Sequence, residues 1–409
     1  MVRKNLVLFF ILVSFAVNAQ TVVKSLRVST SGGARVLPVY VKNIESPAKI
    51  KIEFDVASKD MPNMDIIFRF CDKNWVPYET FDFENSSFNT DYNLDFSSLS
   101  VGIEGANYHF RGTYPSQEVQ FPFSGKYIFE IVDTYDKSIV YDYGKFYVVE
   151  DLITLAAELN NSRIQGRNSF PAKIDEVYEI SCSFDLPDGY FPGQVERVEI
   201  VENKLIEFPY IIQKDNYNKY RYYEWNGTDQ FKFIAMDVAP GNEYRQIDIR
   251  NSAKFPAGGT KARFGDFDQS RFYSKGSRDL NGDFELLRET NADADYIDVT
   301  FELQTTGKVS GDVFLTGSFN FWELWPIYRM TPVDGFYKLT IPLKRGVYDY
   351  AYVIGDLEEN KVINADRYTL EGNFWETINE YSIFLYYRTT ELGGYDKLVG
   401  YTKIISGEK

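Results

Sequence analysis

The chain has 409 residues and a formal net charge of −15 at pH 7, a balance that repels nucleic acid and anionic lipid and suits a basic protein surface or plain solubility. Its 31 Tyr and 33 Phe, with frequent Val and Ile, favour pleated, half-buried strands over helices. An all-β protein of two or three domains is expected, at about 100 to 200 residues per domain.

The N-terminus reads as an export signal. Arg3 and Lys4 give a basic start, Leu6 to Val13 form a short apolar core, and Val17-Asn18-Ala19 places small residues before a cut ahead of Gln20. The apolar run is shorter than the about 20 residues a spanning helix needs. No Cys follows it to carry a lipid, and no later stretch is long and apolar enough to span a bilayer. Residues 1–19 are therefore predicted to be a signal peptide and the remainder an exported protein.

Alternation of apolar and polar residues then recurs between turn signals, which predicts β-sandwich strands. Ile50 to Val56 is a clear case, followed by Asp65 to Phe70, Lys126 to Val132, Lys145 to Val149, Val195 to Val201, Gln230 to Ala235, Tyr296 to Leu303, Asp312 to Leu315 and Val347 to Val353. Asp151 to Leu159 fits a short helix or a connecting strand equally. The expected partition is an N-terminal sandwich over 20–150, a second β-rich domain over 151–291 and a C-terminal sandwich over 292–409. No repeat of solenoid or propeller length is visible.

Chemistry is sparse. The single histidine, His109, lies among aromatics in Asn107-Tyr108-His109-Phe110, which suggests a packed strand position, and no Gly-x-Ser-x-Gly nucleophile elbow accompanies it. Cys71 and Cys182 match no zinc spacing and read as small buried hydrophobes. Gly258-Gly259-Thr260-Lys261 lacks the first glycine of a phosphate-binding loop. Asp279-x-Asn281-x-Asp283 begins like a calcium loop, but glycine falls at 282 and Thr290 stands where a bidentate Glu belongs, so a solvated turn is expected. No catalytic, metal or cofactor site is predicted, and the chain is read as a binder that is not an enzyme.

Val313 to Trp322, followed by Asp334 to Ile354, resembles the glycogen- and starch-binding early-set sandwiches. That family binds sugar with two indole platforms and a lysine, because apolar sugar faces stack on aromatics. Trp322 is the candidate sugar-stacking residue here. The lysine position carries Ala351, and no second tryptophan follows Ile354. The likeness implies a fold, and a carbohydrate-binding protein of the periplasm or cell surface is the alternative function it suggests.

A more extensive likeness runs through Phe70-Cys71-Asp72-Lys73-Asn74-Trp75, Ser87 to Thr90, Phe121 to Tyr127, Phe146 to Glu150, Pro240 to Arg245 with Asp248, Arg278 to Gly282, and Tyr395 to Tyr401. In this order the motifs resemble the plug protein family of the type IX secretion system. The resemblance implies a periplasmic protein that binds and seals the giant outer-membrane translocon barrel, without nucleic acid or small-molecule partners. In physical terms Trp75 is expected to fill a core, Gly125 and Gly241 to mark tight turns, Arg245 to pair with Asp248 or Glu243, and Lys73-Asn74, a departure from the family pattern, to lie on a surface loop.

Overall fold

The computed structural model describes residues 21–33, 37–84, 87–164, 174–214, 218–271 and 279–407; the predicted signal peptide lies outside them. Each strand anticipated from alternation forms. In Ile50–Ala57 the residues Ile50, Ile52 and Phe54 are fully buried while Lys51 and Glu53 between them stay partly exposed, as a pleat with one face on a core requires. The ambiguous segment resolves as chain running into the strand Ala156–Arg163.

The first domain is a sandwich of two sheets. One orders Val22–Thr30, Ile50–Ala57, Tyr108–Tyr114 and Asp95–Ser98; the other orders Val39–Val41, Val140–Val149, Gly125–Asp133, Met64–Cys71 and Thr90–Asp91. Between them lies an aromatic core in which Phe68 meets Tyr114, Phe121 and Phe146 at 4.6, 5.5 and 6.0 Å, geometries in which ring edges meet ring faces. Gly125 does not mark a turn. It begins a strand, and a Cβ there would lie 2.5 Å from the Phe70 ring, so the glycine admits Phe70 to the core.

The remaining chain does not divide at residue 291. One sheet of the second domain orders Ala156–Arg163, Glu176–Asp185, Gln230–Val238 and Arg221–Trp225. Its facing sheet orders Tyr210–Gln213, Val195–Glu202, Glu380–Arg388 and Asp396–Ile405. The last two strands come from the C-terminus, and Ile383 and Leu385 share a core with Val198, Ile200 and Phe233. The third domain is therefore inserted within the second. Its sheets are built on Gly346–Glu358, flanked by Arg245–Asp248, Phe284–Leu286, Asp312–Gly317 and Lys361–Asp366, and on Tyr296–Gln304, flanked by Thr260–Lys261, Asp268–Gln269 and Phe336–Lys344, the last of which pairs in turn with Thr331–Val333. The linear partition into 151–291 and 292–409 fails because the backbone edge of Val195–Glu202 is paired by a strand that arrives only after the insertion closes.

Candidate functional site

His109, Cys71 and Cys182 are all built into the framework. His109 is buried, and its Nδ1 lies 2.8 Å from Asp55 Oδ1. The other Asp55 oxygen accepts from Lys344 Nζ at 2.6 Å and Tyr296 Oη at 2.9 Å. Burial pushes the Asp55 carboxyl up, but the His109 hydrogen bond and the Lys344 charge outweigh it and hold the group below the usual carboxylate range. The cluster joins the first domain to the third, and Tyr296 Oη also lies 2.8 Å from Ser25 Oγ. Cys71 and Cys182 are both free and buried, and burial pushes each thiol up to about 12, which leaves them unreactive.

Trp322 is not a sugar platform. It is 2% exposed, lies 4.2 Å from the Tyr244 ring between centroids, and donates Nε1–H to the Gly282 carbonyl at 2.8 Å. Leu205 and Ala351 pack with it. A ring with no open face cannot stack a ligand, so the carbohydrate reading loses the residue that carried it.

The loop over 279–283 also serves the framework. Asp279 accepts the Tyr244 N–H and the Asn281 N–H, Asp349 accepts the Leu280 and Gly282 N–H groups at 2.7 and 3.0 Å, and Asp283 pairs with Lys204 at 2.9 Å. Among the described residues no group of acidic, His or Cys side chains has the arrangement of a metal site. Thr260–Lys261 pairs in parallel with Tyr296–Gln304 and borders an open groove of about 650 Å³; Lys261 spends its charge on Glu302 at 2.6 Å.

Three of the family-like motifs, Phe70 to Trp75, Pro240 to Arg245 and Tyr395 to Tyr401, instead gather at the joints between domains. Asp72 Oδ1 accepts the N–H groups of Asn74 and Val76 at 2.8 and 2.9 Å, curling the loop so that Trp75 adopts φ +64°. That turn offers the Lys73 carbonyl to Lys126 Nζ at 3.0 Å and to Arg197, and brings the Trp75 ring 5.3 Å from Tyr147. Lys126 sits 4.6 Å over the same indole and 3.0 Å from the fully buried Glu199 of the second domain, which also holds Arg197 at 2.8 Å. Lys73-Asn74 thus lies in an interdomain clasp: the Lys73 N–H donates to Asp396 Oδ2 at 3.1 Å and its ammonium to Glu196 at 2.6 Å. Trp75 fills this joint, not the core of its own domain.

The tail motif answers from the other side. Tyr395 enters the core of the first domain, with its ring 5.6 Å from Phe70, 5.5 Å from Phe83 and 5.4 Å from Phe123. Phe384 stacks 4.3 Å from Tyr147 and Tyr401 stacks 5.0 Å from Phe384. Burying such rings contributes about 1.5–3 kcal/mol each, which makes this joint a continuation of the core.

Pro240 to Arg245 marks where the chain enters the third domain, and it is tied to the segment by which the chain leaves. Gly241, at φ +66°, donates its N–H to Asn373 Oδ1 at 2.9 Å, and Asn242 Nδ2 donates to the Glu371 carbonyl at 2.8 Å. Arg245 does not pair with Asp248 or Glu243. Its guanidinium is buried between Glu371 at 2.9 Å and Asp268 at 3.1 Å, while Asp248 pairs with Arg250 at 2.7 Å. Burial alone would lower the Arg245 pKa; the two carboxylates raise it above the ordinary value. None of these distant partners is visible from local spacing.

Comparison with known proteins gives the same direction. A hypothetical protein from Parabacteroides merdae superposes with a TM-score of 0.75 at 21% identity over 94% of this chain and 97% of that one, which shows a shared fold. A marsupial T cell receptor aligns with a TM-score of 0.17 at 8% identity over 93% of this chain and 98% of that one, too low to bear on the architecture. A search of the curated proteins found no match. Residues 23–150, from the first strand to the end of the first sandwich, match the family model described as type 9 secretion system plug protein 1st domain. That match supports the type IX secretion system plug family for the first domain.

Proposed function

We propose that the protein is a non-catalytic periplasmic subunit of the type IX secretion system that binds the outer-membrane translocon barrel at its inner mouth and seals it. The match of residues 23–150 to the plug protein first domain carries this reading. The way the three domains are clamped supports it, because a stopper must keep its shape under load: Tyr395 and Glu199 tie the second domain to the first, and Asp55 ties the first to the third. Among the described residues no helix is long and apolar enough to cross a membrane. The structural use of His109, Cys71 and Cys182 is consistent with binding as the activity.

Affinity purification of the tagged full chain from detergent-solubilised native membranes tests the proposal. A large outer-membrane barrel in stoichiometric yield is expected. Repeated recovery of the protein without such a barrel would overturn it.

A further inference from the structure

We propose that the free sheet edge formed by Asp95–Ser98, together with the preceding Tyr92, receives an extended, Lys- or Arg-rich segment of the translocon barrel as an added strand. The proposal rests on the plug reading above and names the face and the chemistry by which that partner is held.

The strand Asp95–Ser98 closes one sheet of the first domain and, among the described residues, pairs only with Tyr108–Tyr114. Leu99 N–H donates back to the Asn107 carbonyl at 2.8 Å. By the two-residue repeat of an antiparallel ladder, the N–H groups of Ser97 and Asp95 face the neighbour and those of Phe96 and Ser98 face outward. An outward row of backbone donors and acceptors is a template for strand addition.

Soluble proteins commonly guard such an edge with lysine. This one has the opposite guard. From Asn74 to Phe110 the sequence contains Glu79, Asp82, Glu84, Asp91, Asp95 and Glu104 and no Lys or Arg. Cations that approach from elsewhere are engaged: Arg111 holds Asp95 at 2.8 Å, and Lys137, 5.8 Å over the Tyr92 ring, pairs with Asp65. Glu118, which accepts from Asn93 Nδ2 at 2.9 Å, adds another carboxylate to the same rim. Tyr92 is 60% exposed and Phe96 40% exposed, and such rings suit the apolar stems and charged heads of Lys and Arg. The edge strand Ala156–Arg163 of the second domain lacks this combination, since it ends in a cation and presents no aromatic.

The test compares capture of the barrel from detergent-solubilised native membranes by wild type and three full-length variants. Ser98→Pro removes an outward N–H and leaves the ladder to Tyr108–Tyr114 intact. Tyr92→Ala/Asp95→Lys changes only exposed side chains, and Trp225→Ala on the second domain is the control. Thermal unfolding verifies that each is folded. The expected result is an at least about tenfold loss of barrel for the first two and none for the control, with wild-type capture weakening in about 0.5 M salt. Should Ser98→Pro fail to fold, the double variant decides alone. Folded variants that capture as wild type does would overturn the edge proposal and leave the plug reading standing, whereas a wild type that captures no barrel would overturn both.

Discussion

The first domain is fastened to its two neighbours by different means. Against the second domain it presents a buried, aromatic surface, with Tyr147 on Phe384 and Tyr395 inside its own core, and with the ion group of Lys126, Arg197 and Glu199 buried in the middle. Against the third it offers a small apolar cluster of Leu99, Ile103, Ala106 and Ala294 around a polar hub at Asp55. The contrast teaches where rigidity and sensitivity lie. A joint that continues a core fails only by cavity or by an orphaned charge, while a joint centred on one carboxylate responds to protons.

The largest effect is expected from Glu199→Ala, which leaves Lys126 and Arg197 buried with no carboxylate between them. Loss of a partner from a buried pair costs about 3–5 kcal/mol, and the measurement is the urea midpoint of the full chain. An unchanged midpoint would mean that water reaches this joint and that it is no core. Asp55→Ala comes next, at about 3 kcal/mol, because it strands Lys344. Asp55 also sets the response to acid. Its folded pKa is depressed, so its stabilisation is present above the usual carboxylate range and disappears as pH falls through the lowered value. Hydrogen exchange at Tyr296, whose N–H donates to Glu104 at 3.0 Å across the same joint, is expected to accelerate in acid before exchange in Glu380–Arg388 does. Simultaneous loss of protection would erase the distinction between the joints.

Phe384→Leu removes the stacked pair with Tyr147 but keeps the volume mostly filled, for about 1–2 kcal/mol. The smallest effect is one of slope. Burial pushes the Asp349 carboxyl up to about 6, and burial with the nearby Asp349 charge pushes Asp279 up to about 8. Raised acids stabilise the fold fully below the usual carboxylate range and lose that contribution as pH rises through these values. Asp349→Asn should therefore flatten the fall in stability between about pH 4 and 6 by on the order of 1 kcal/mol, the opposite direction from the Asp55 joint. Urea midpoints at several pH values measure it, and an unaltered slope would remove Asp349 from the account.

Much of the fold was legible from local pattern. Ile50 to Val56 and Val195 to Val201 announce their pleat because burial on one face imposes a two-residue period. What escaped depends on contacts between residues far apart in the chain. Nothing near Val195–Glu202 announces Glu380–Arg388 as its neighbour, so an inserted domain looks like a linear one. Trp322 declares an indole but not the Tyr244 that covers it. Arg245 declares a cation, yet its partners Asp268 and Glu371 lie beyond any local spacing. The site was less legible still. The motifs around Trp75 and Tyr395 were readable as family signature, but only the folded chain explains them as two halves of one clasp. The acidic run before Arg111 was in plain view and acquired meaning only when Asp95–Ser98 proved to be an edge.

The most direct test of the account is electrical. The purified translocon barrel, reconstituted in a planar bilayer, is measured before and after adding the full-length protein on the periplasmic side. Conductance is expected to fall in a saturable manner as the joined domains occupy the mouth. A barrel that binds the protein and conducts as before would contradict the claim that this molecule is a seal.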